Sequence, residues 1–125
     1  MKTILFISAS FNVLFLLMHE LDAVYRKEWR MFKFMSNLKE KTQCQIFLYL
    51  HFPLFAFLIY YLITVFNFNN ISLWIIINSL SVIHFIIHLY ARKWKSNVFQ
   101  SGTSFLFIGG AGITGVANLI LTKYY

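Results

Sequence analysis

The chain has 125 residues, of which 59% are hydrophobic, 20% aromatic and only 12% charged. A soluble domain carries about twice that share of charge, so a water-soluble enzyme is excluded, and the single cysteine, Cys44, excludes an internal disulfide framework. The net charge of +7 does not indicate nucleic acid, because the basic residues are distributed as a membrane topology requires.

The first apolar segment, Ile4 to Ala23, is long enough to cross a hydrocarbon core of about 30 Å at 1.5 Å per residue, and predicts a helix over 4–25. No small-x-small cleavage site follows the run before His19, Glu20 and Asp22, so it reads as a retained helix rather than a signal peptide. The next stretch, VYRKEWRMFKFMSNLKEK, is expected to continue this helix and then lie along the headgroups, as an interfacial helix over about 26–41. Its Arg and Lys residues, mixed with Trp29, Phe32 and Phe34, suit an anionic leaflet. A second span is predicted over 44–66; Pro53 within it is tolerable where neighbours satisfy the freed carbonyl. After the uncharged loop FNFNN comes a third span over 71–91, and a fourth is predicted over 104–121. Gly109, Gly110, Ala111 and Gly112, with Thr114, Gly115 and Asn118, give the fourth helix a small-residue face for close packing. That face can serve the bundle internally or form a homodimer through Ala111, Gly115 and Asn118. The fold class is therefore all-α: one integral membrane domain over 1–125, a four-helix transmembrane bundle with an interfacial helix after the first span.

Nine of the eleven basic residues fall in two loops. Arg26, Lys27, Arg30, Lys33, Lys39 and Lys41 follow the first span, and Arg92, Lys93 and Lys95 follow the third. The positive-inside rule places both loops in the cytoplasm and both termini outside. Trp29, Trp94, Tyr25 and Tyr90 flank the same ends as interfacial aromatics do.

On this topology the four histidines share one depth. His19, His51, His84 and His88 come from three helices, and all lie within roughly 5 to 10 Å of the cytoplasmic boundary. His84 and His88 differ by about 40° of azimuth and share a face with Ser81. Ser8, Asn12, His19, Asp22 and Arg26 form a polar stripe on the first helix, which must face protein or a water-filled cavity because lipid would leave it unsatisfied. Imidazoles at i and i+4 can chelate one ion, so His84 and His88 with His51 or His19 predict a three-histidine site with one position left for water, as in catalytic zinc. Asp22 and Glu20 are candidates for fourth ligand, general base or orienting partner; Asp22 can also pair with Arg26 at i+4. HELDA is not the zinc-protease pattern HExxH, since the position four after His19 is Ala23.

The words HELDAVYRKEWRMF, LHFPLFAFLIY and HFIIH resemble a group of short, uncharacterised bacterial membrane proteins with four predicted helices, which implies a protein of the bacterial cytoplasmic membrane. As a type of site, Ser81-Val-Ile-His84-Phe-Ile-Ile-His88 with a histidine and an acid on other helices is distantly similar to the metal site of the alkaline ceramidase and adiponectin-receptor superfamily. Those zinc-dependent membrane amidohydrolases have seven helices. The resemblance implies that His51, His84 and His88 hold the ion and that Asp22 and Ser81 assist.

The readings that follow are three. The first is a zinc-dependent hydrolase acting on a membrane lipid or other amphiphile at the cytoplasmic leaflet, with Asp22 or Glu20 as base. The second is a haem, iron or copper protein doing redox chemistry. The third is a non-catalytic membrane subunit whose histidines are incidental.

Overall fold

A computed structural model of the chain describes residues 2–67, 69–94 and 100–125. Four helices follow one another: α1 (Lys2–Tyr25), α2 (Glu40–Asn67), α3 (Ile71–Ala91) and α4 (Gly102–Ile120), the last continued by a short 3-10 turn over Leu121–Tyr124. All four are long and apolar enough to cross a membrane, and the fold is an all-α four-helix bundle. Phe68 and the basic-loop residue Lys95 lie outside the described residues.

The helix ends have local causes. Asn70 caps α3 by accepting from the Leu73 amide at 2.9 Å, and Ser101 caps α4 by accepting from the Ser104 amide at 3.1 Å; each satisfies a backbone donor that a helix start otherwise leaves orphaned. α2 begins at Glu40, four residues before the predicted start, because Glu40 supplies a favourable negative charge at the positive end of the helix dipole.

The segment between α1 and α2 departs from expectation. It is not a continuous interfacial helix. Lys27 has φ 59° and ψ 48°, a left-handed conformation that ends the helical path for an L-residue. Two short 3-10 turns follow, Glu28–Met31 and Lys33–Met35. Trp29 and Met35 are buried there against Ala23 of α1 and Phe47 of α2. Gln43 holds the fold-back by donating to the carbonyls of Met35 at 2.9 Å and Leu38 at 2.8 Å, and Glu40 accepts from Lys27 at 2.9 Å and Arg30 at 2.6 Å.

Helices in lipid gain little from hiding apolar surface, since the tails outside are as oily as the interior. The specific contacts here are polar and close. Asn12, Asn78 and Asn118 are each fully buried. Asn118 donates to Asn78 Oδ1 at 2.7 Å, Asn78 donates to the Tyr61 hydroxyl at 3.0 Å, and Asn12 donates to the Ala111 carbonyl at 2.8 Å. The Ser8 hydroxyl also bonds Asn118. Four helices are thereby joined by side-chain amides and hydroxyls in the middle of the span.

The small-residue face of α4 is what lets α3 come near. A Cβ on Gly115 would stand 2.9 Å from the backbone oxygen of Asn78. Ala111, Gly115 and Asn118 are all buried within the single chain, so the face packs internally, and a homodimer through those same residues would require opening the bundle.

Gly115→Val should therefore destabilise the protein by about 1 to 3 kcal/mol, the usual range for overpacking, because the atom in the way is backbone. Gly109→Ala is the control: its Cβ would meet Phe85 at an ordinary 3.7 Å, and thermal unfolding in detergent should barely move.

Candidate metal centre

Consecutive residues on a helix point about 100° apart, and α1 uses that angle to serve two neighbours at once. His19 turns toward α3. Glu20 turns toward α2. The four histidines consequently divide three and one.

His19, His84 and His88 converge. The Nε2 atoms of His19 and His84 are 3.0 Å apart, and those of His84 and His88 are also 3.0 Å apart. His84 and His88, one turn apart on α3, hold their rings 17° from parallel, while His19 meets them edge-on at 81° and 84°. One nitrogen from each ring lies within 4.8 Å of the other two, and among the described residues this is the one group of metal-ligating side chains so placed. His19 is fully buried and His88 is 8% exposed.

A ring nitrogen carries either one lone pair or one hydrogen, so the Nε2 of His84 directs one good hydrogen bond and is crowded by two neighbours. A single cation taking a lone pair from each imidazole removes that conflict. Nitrogens about 2.0 to 2.1 Å from a tetrahedral zinc stand about 3.3 Å from one another, close to the 3.0 Å that separates His84 from each of its two neighbours.

His51 stands outside this group, contrary to the ligand set implied by resemblance. Its Nδ1 bonds the Phe47 carbonyl at 2.6 Å and its Nε2 lies 2.7 Å from Glu20 Oε2. A carbonyl only accepts, so Nδ1 carries a hydrogen, and the Nε2 to Oε2 contact holds one proton between the two groups. Cys44, two turns before His51 on α2, packs with the cluster around Trp29 and Phe47, and the Phe47 ring lies against His51 with centroids 4.2 Å apart.

Asp22 is also directed elsewhere. Both its oxygens lie 3.0 Å from Arg26 Nε, and the Ser104 hydroxyl donates to it. Arg26 reaches on to Ser101 at 2.6 Å. The group ties the end of α1 to the start of α4, which places the connections α1–α2 and α3–α4 at the same end of the bundle. Ser81 is buried, its hydroxyl 3.1 Å from Asn12 Oδ1 and 3.0 Å from the Ile77 carbonyl.

Between α2 and α3, with α1 behind, runs a cleft of about 270 Å³. Its walls are apolar, including Leu54, Phe57, Leu80 and Ile83, and its polar lining is Glu20, Ser81 and His84. Sequence reasoning had these three residues as separate candidates; what it lacked was the gap that unites them. On the other side of α2's contact with α1, Glu20 and His51 together line a second apolar cleft with Val24 and Phe55.

Outside the spans, Glu28 is half-buried in the first 3-10 turn. Burial pushes its carboxyl up from the ordinary 4.5 to about 7, with Glu20 and Asp22 adding repulsion and His51 opposing. A folded-state value above the unfolded one means that the folded state binds the proton more tightly. The associated stability is complete below about pH 4.5 and is lost as pH rises through about 7. Between pH 5 and pH 8, the melting temperature of the wild type in detergent should fall relative to that of Glu28→Gln, with the variant the more stable of the two at pH 8; parallel curves would contradict the assignment.

A family model described as "Family of unknown function (DUF6713)" matches residues 5–125, and the chain belongs to that family. Comparison with curated proteins and with solved structures gives no match.

Proposed function

We propose that His19, His84 and His88 hold one transition-metal ion, zinc by preference, and that the protein is a hydrolase of a lipid or other amphiphile at the cytoplasmic leaflet of the bacterial membrane. The observation that carries this reading is the convergence of three imidazole nitrogens from two helices beside a cleft whose other polar groups are a carboxylate and a hydroxyl. Three nitrogen ligands suit zinc, and leave a fourth position for water. When bound, such an ion acts as a Lewis acid and brings the pKa of its water to about 7.

The chain's own groups take the remaining roles. Glu20 is the carboxylate that reaches the cleft, and His51 fixes its orientation through the 2.7 Å contact. Asp22, engaged by Arg26 and Ser104, is replaced by Glu20 as the base. Ser81 lies one turn deeper than His84, and with its proton held toward Asn12 and the Ile77 carbonyl its hydroxyl oxygen is the atom that accepts from a substrate donor. The likeness to the ceramidase type of site then rests on three histidines, an acid and a serine, with His19 in place of His51 and Glu20 in place of Asp22. A haem between His84 and either of the other two is disfavoured, since ligands on opposite sides of an iron at about 2 Å each leave about 4 Å between nitrogens, more than the 3.0 Å found for both pairs.

Elemental analysis of purified protein tests the centre. The wild type should carry about one zinc per chain; His19→Ala or His84→Ala should lose it, and His51→Ala should keep it while losing hydrolysis. Wild-type protein that is metal-free and takes up no added zinc, copper or iron would sink the proposal.

The orientation is open to a separate check. With Cys44→Ser as background, a membrane-impermeant maleimide applied to intact cells should label Asn69→Cys at the uncharged loop, and should label Ser36→Cys only after permeabilisation. The reverse pattern would invert the topology.

A further inference from the structure

We infer that the cleft beside His84 is a slot for one saturated alkyl chain of about eight to ten carbons, entered sideways from the bilayer, with the chain's functional group at His84, Ser81 and Glu20 and its tail against Leu58 and Ile77, one turn short of Tyr61 and Trp74. The slot stands on its own geometry; only the identity of its polar end as a reactive centre rests on the proposed function.

Size, floor and mouth each contribute. On α3 the cleft is lined from Ile87 to Ile77, and the part between its polar group at His84 and Ile77 is about 10 Å long at 1.5 Å per residue. An extended chain advances about 1.2 Å per bond, the geometry that gives an extended peptide about 3.6 Å over three backbone bonds, so this depth takes about eight bonds. The volume of about 270 Å³ gives nearly the same answer, holding about nine groups of methylene size if each takes the roughly 30 Å³ of a water molecule.

The floor is firm. One turn beyond Leu58 and Ile77, Tyr61 and Trp74 are both 0% exposed, with ring centroids 6.4 Å apart. Asn78 donates to the Tyr61 hydroxyl at 3.0 Å, and the Trp74 indole donates to the Asn118 carbonyl at 3.1 Å. The polar seam of the bundle thus closes the slot. Its side wall is open, because Leu80 and Ile83 are 52% and 50% exposed at the level of the hydrocarbon. A groove of comparable size at Phe6, Ile59 and Phe66 has no polar residue in its lining and so nothing to fix a functional group; the cleft at His84 differs in having a polar end and a floor.

Trp74 itself provides the readout. In a Trp29→Phe, Trp94→Phe background it is the only fluorescent tryptophan, and a bromine held beside Ile77, one helical turn from its ring, quenches it at short range. The detergent-solubilised protein is titrated with ω-bromoalkan-1-ols of increasing length. Saturable quenching, strongest at about eight to ten carbons and at least several-fold weaker in both Leu80→Phe and Ile83→Phe, is the expected result. Quenching that never saturates, shows no preferred length, or persists undiminished in both variants overturns the slot. Zinc content measured on the same samples separates the two readings: metal-free wild type that still shows saturable, length-selective quenching removes the centre and keeps the slot, whereas zinc-loaded protein without such quenching removes the slot and keeps the centre.

Discussion

No water reaches the middle of a bilayer, so a polar side chain carried into it must find its partner inside the protein. In this chain α1, α3 and α4 share that requirement along one seam. Ser8, Asn12, Asn78, Ser81 and Asn118 meet in its middle and toward the chain termini; His19, His84 and His88 meet nearer the basic connections; Asp22, Arg26 and Ser104 meet at the end where those connections lie. The amide layer joins α1, α3 and α4, the histidines join α1 to α3, and Asp22 with Ser104 joins α1 to α4, while the glycine at 115 permits the distance at which the amides can reach. Hydrogen bonds of this kind contribute about 0.6 kcal/mol each on average in membrane proteins, and up to about 1.7. Their value here is as much in fixing rotation: a helix turned by one residue would take its whole polar stripe out of the seam.

α2 is held differently, and the cleft is the result. Only 17% of its most apolar window is buried, against 33% to 39% for the other three helices. Its polar contacts are few and scattered: Glu20 on His51, Lys27 and Arg30 on Glu40, Gln43 on the connection before it, Asn78 on Tyr61, and Tyr125 on the Thr64 carbonyl. Between the contacts at His51 and Tyr61, the interface with α3 is left to large apolar side chains that do not interlock. A gap remains there, at the depth of His84. The site's polar end and its apolar slot thus follow from one uneven distribution of polar contacts.

Much of this was legible in the residues. The spans could be read to within a few positions because about 20 apolar residues in succession have few other uses, and the i, i+4 spacing of His84 and His88 by itself put both on one face. The pairing of Asp22 with Arg26 was also visible at that spacing. The fold-back after Tyr25 was not, because Lys27 has no propensity that announces a left-handed conformation, and its cause lies in the later burial of Trp29 and Met35. The choice between His19 and His51 as third member depended on the rotation of α2, which no periodicity within α2 reveals; the adjacency of His19 and Glu20 was the available clue, since two neighbours 100° apart cannot serve one site. Asn78 was passed over, although it sits three residues before Ser81 on the same stripe and turns out to join α3 to both α2 and α4.

Access to the histidines follows from what is closed around them. Asp22, Arg26, Ser101 and Ser104 bolt α1 to α4 at the end that carries the α1–α2 and α3–α4 connections. Between α3 and α4, among the described residues, the space beside His88 and Arg92 amounts to about 10 Å³, about the least that holds one water. Toward the opposite face the amide seam and the pair Tyr61 and Trp74 fill the interior. The opening between α2 and α3 is more than twenty times larger than the gap at His88, and it faces hydrocarbon. The wide approach to His84 thus lies on the side where α2 is least tightly held, and it arises from the packing of the helices itself.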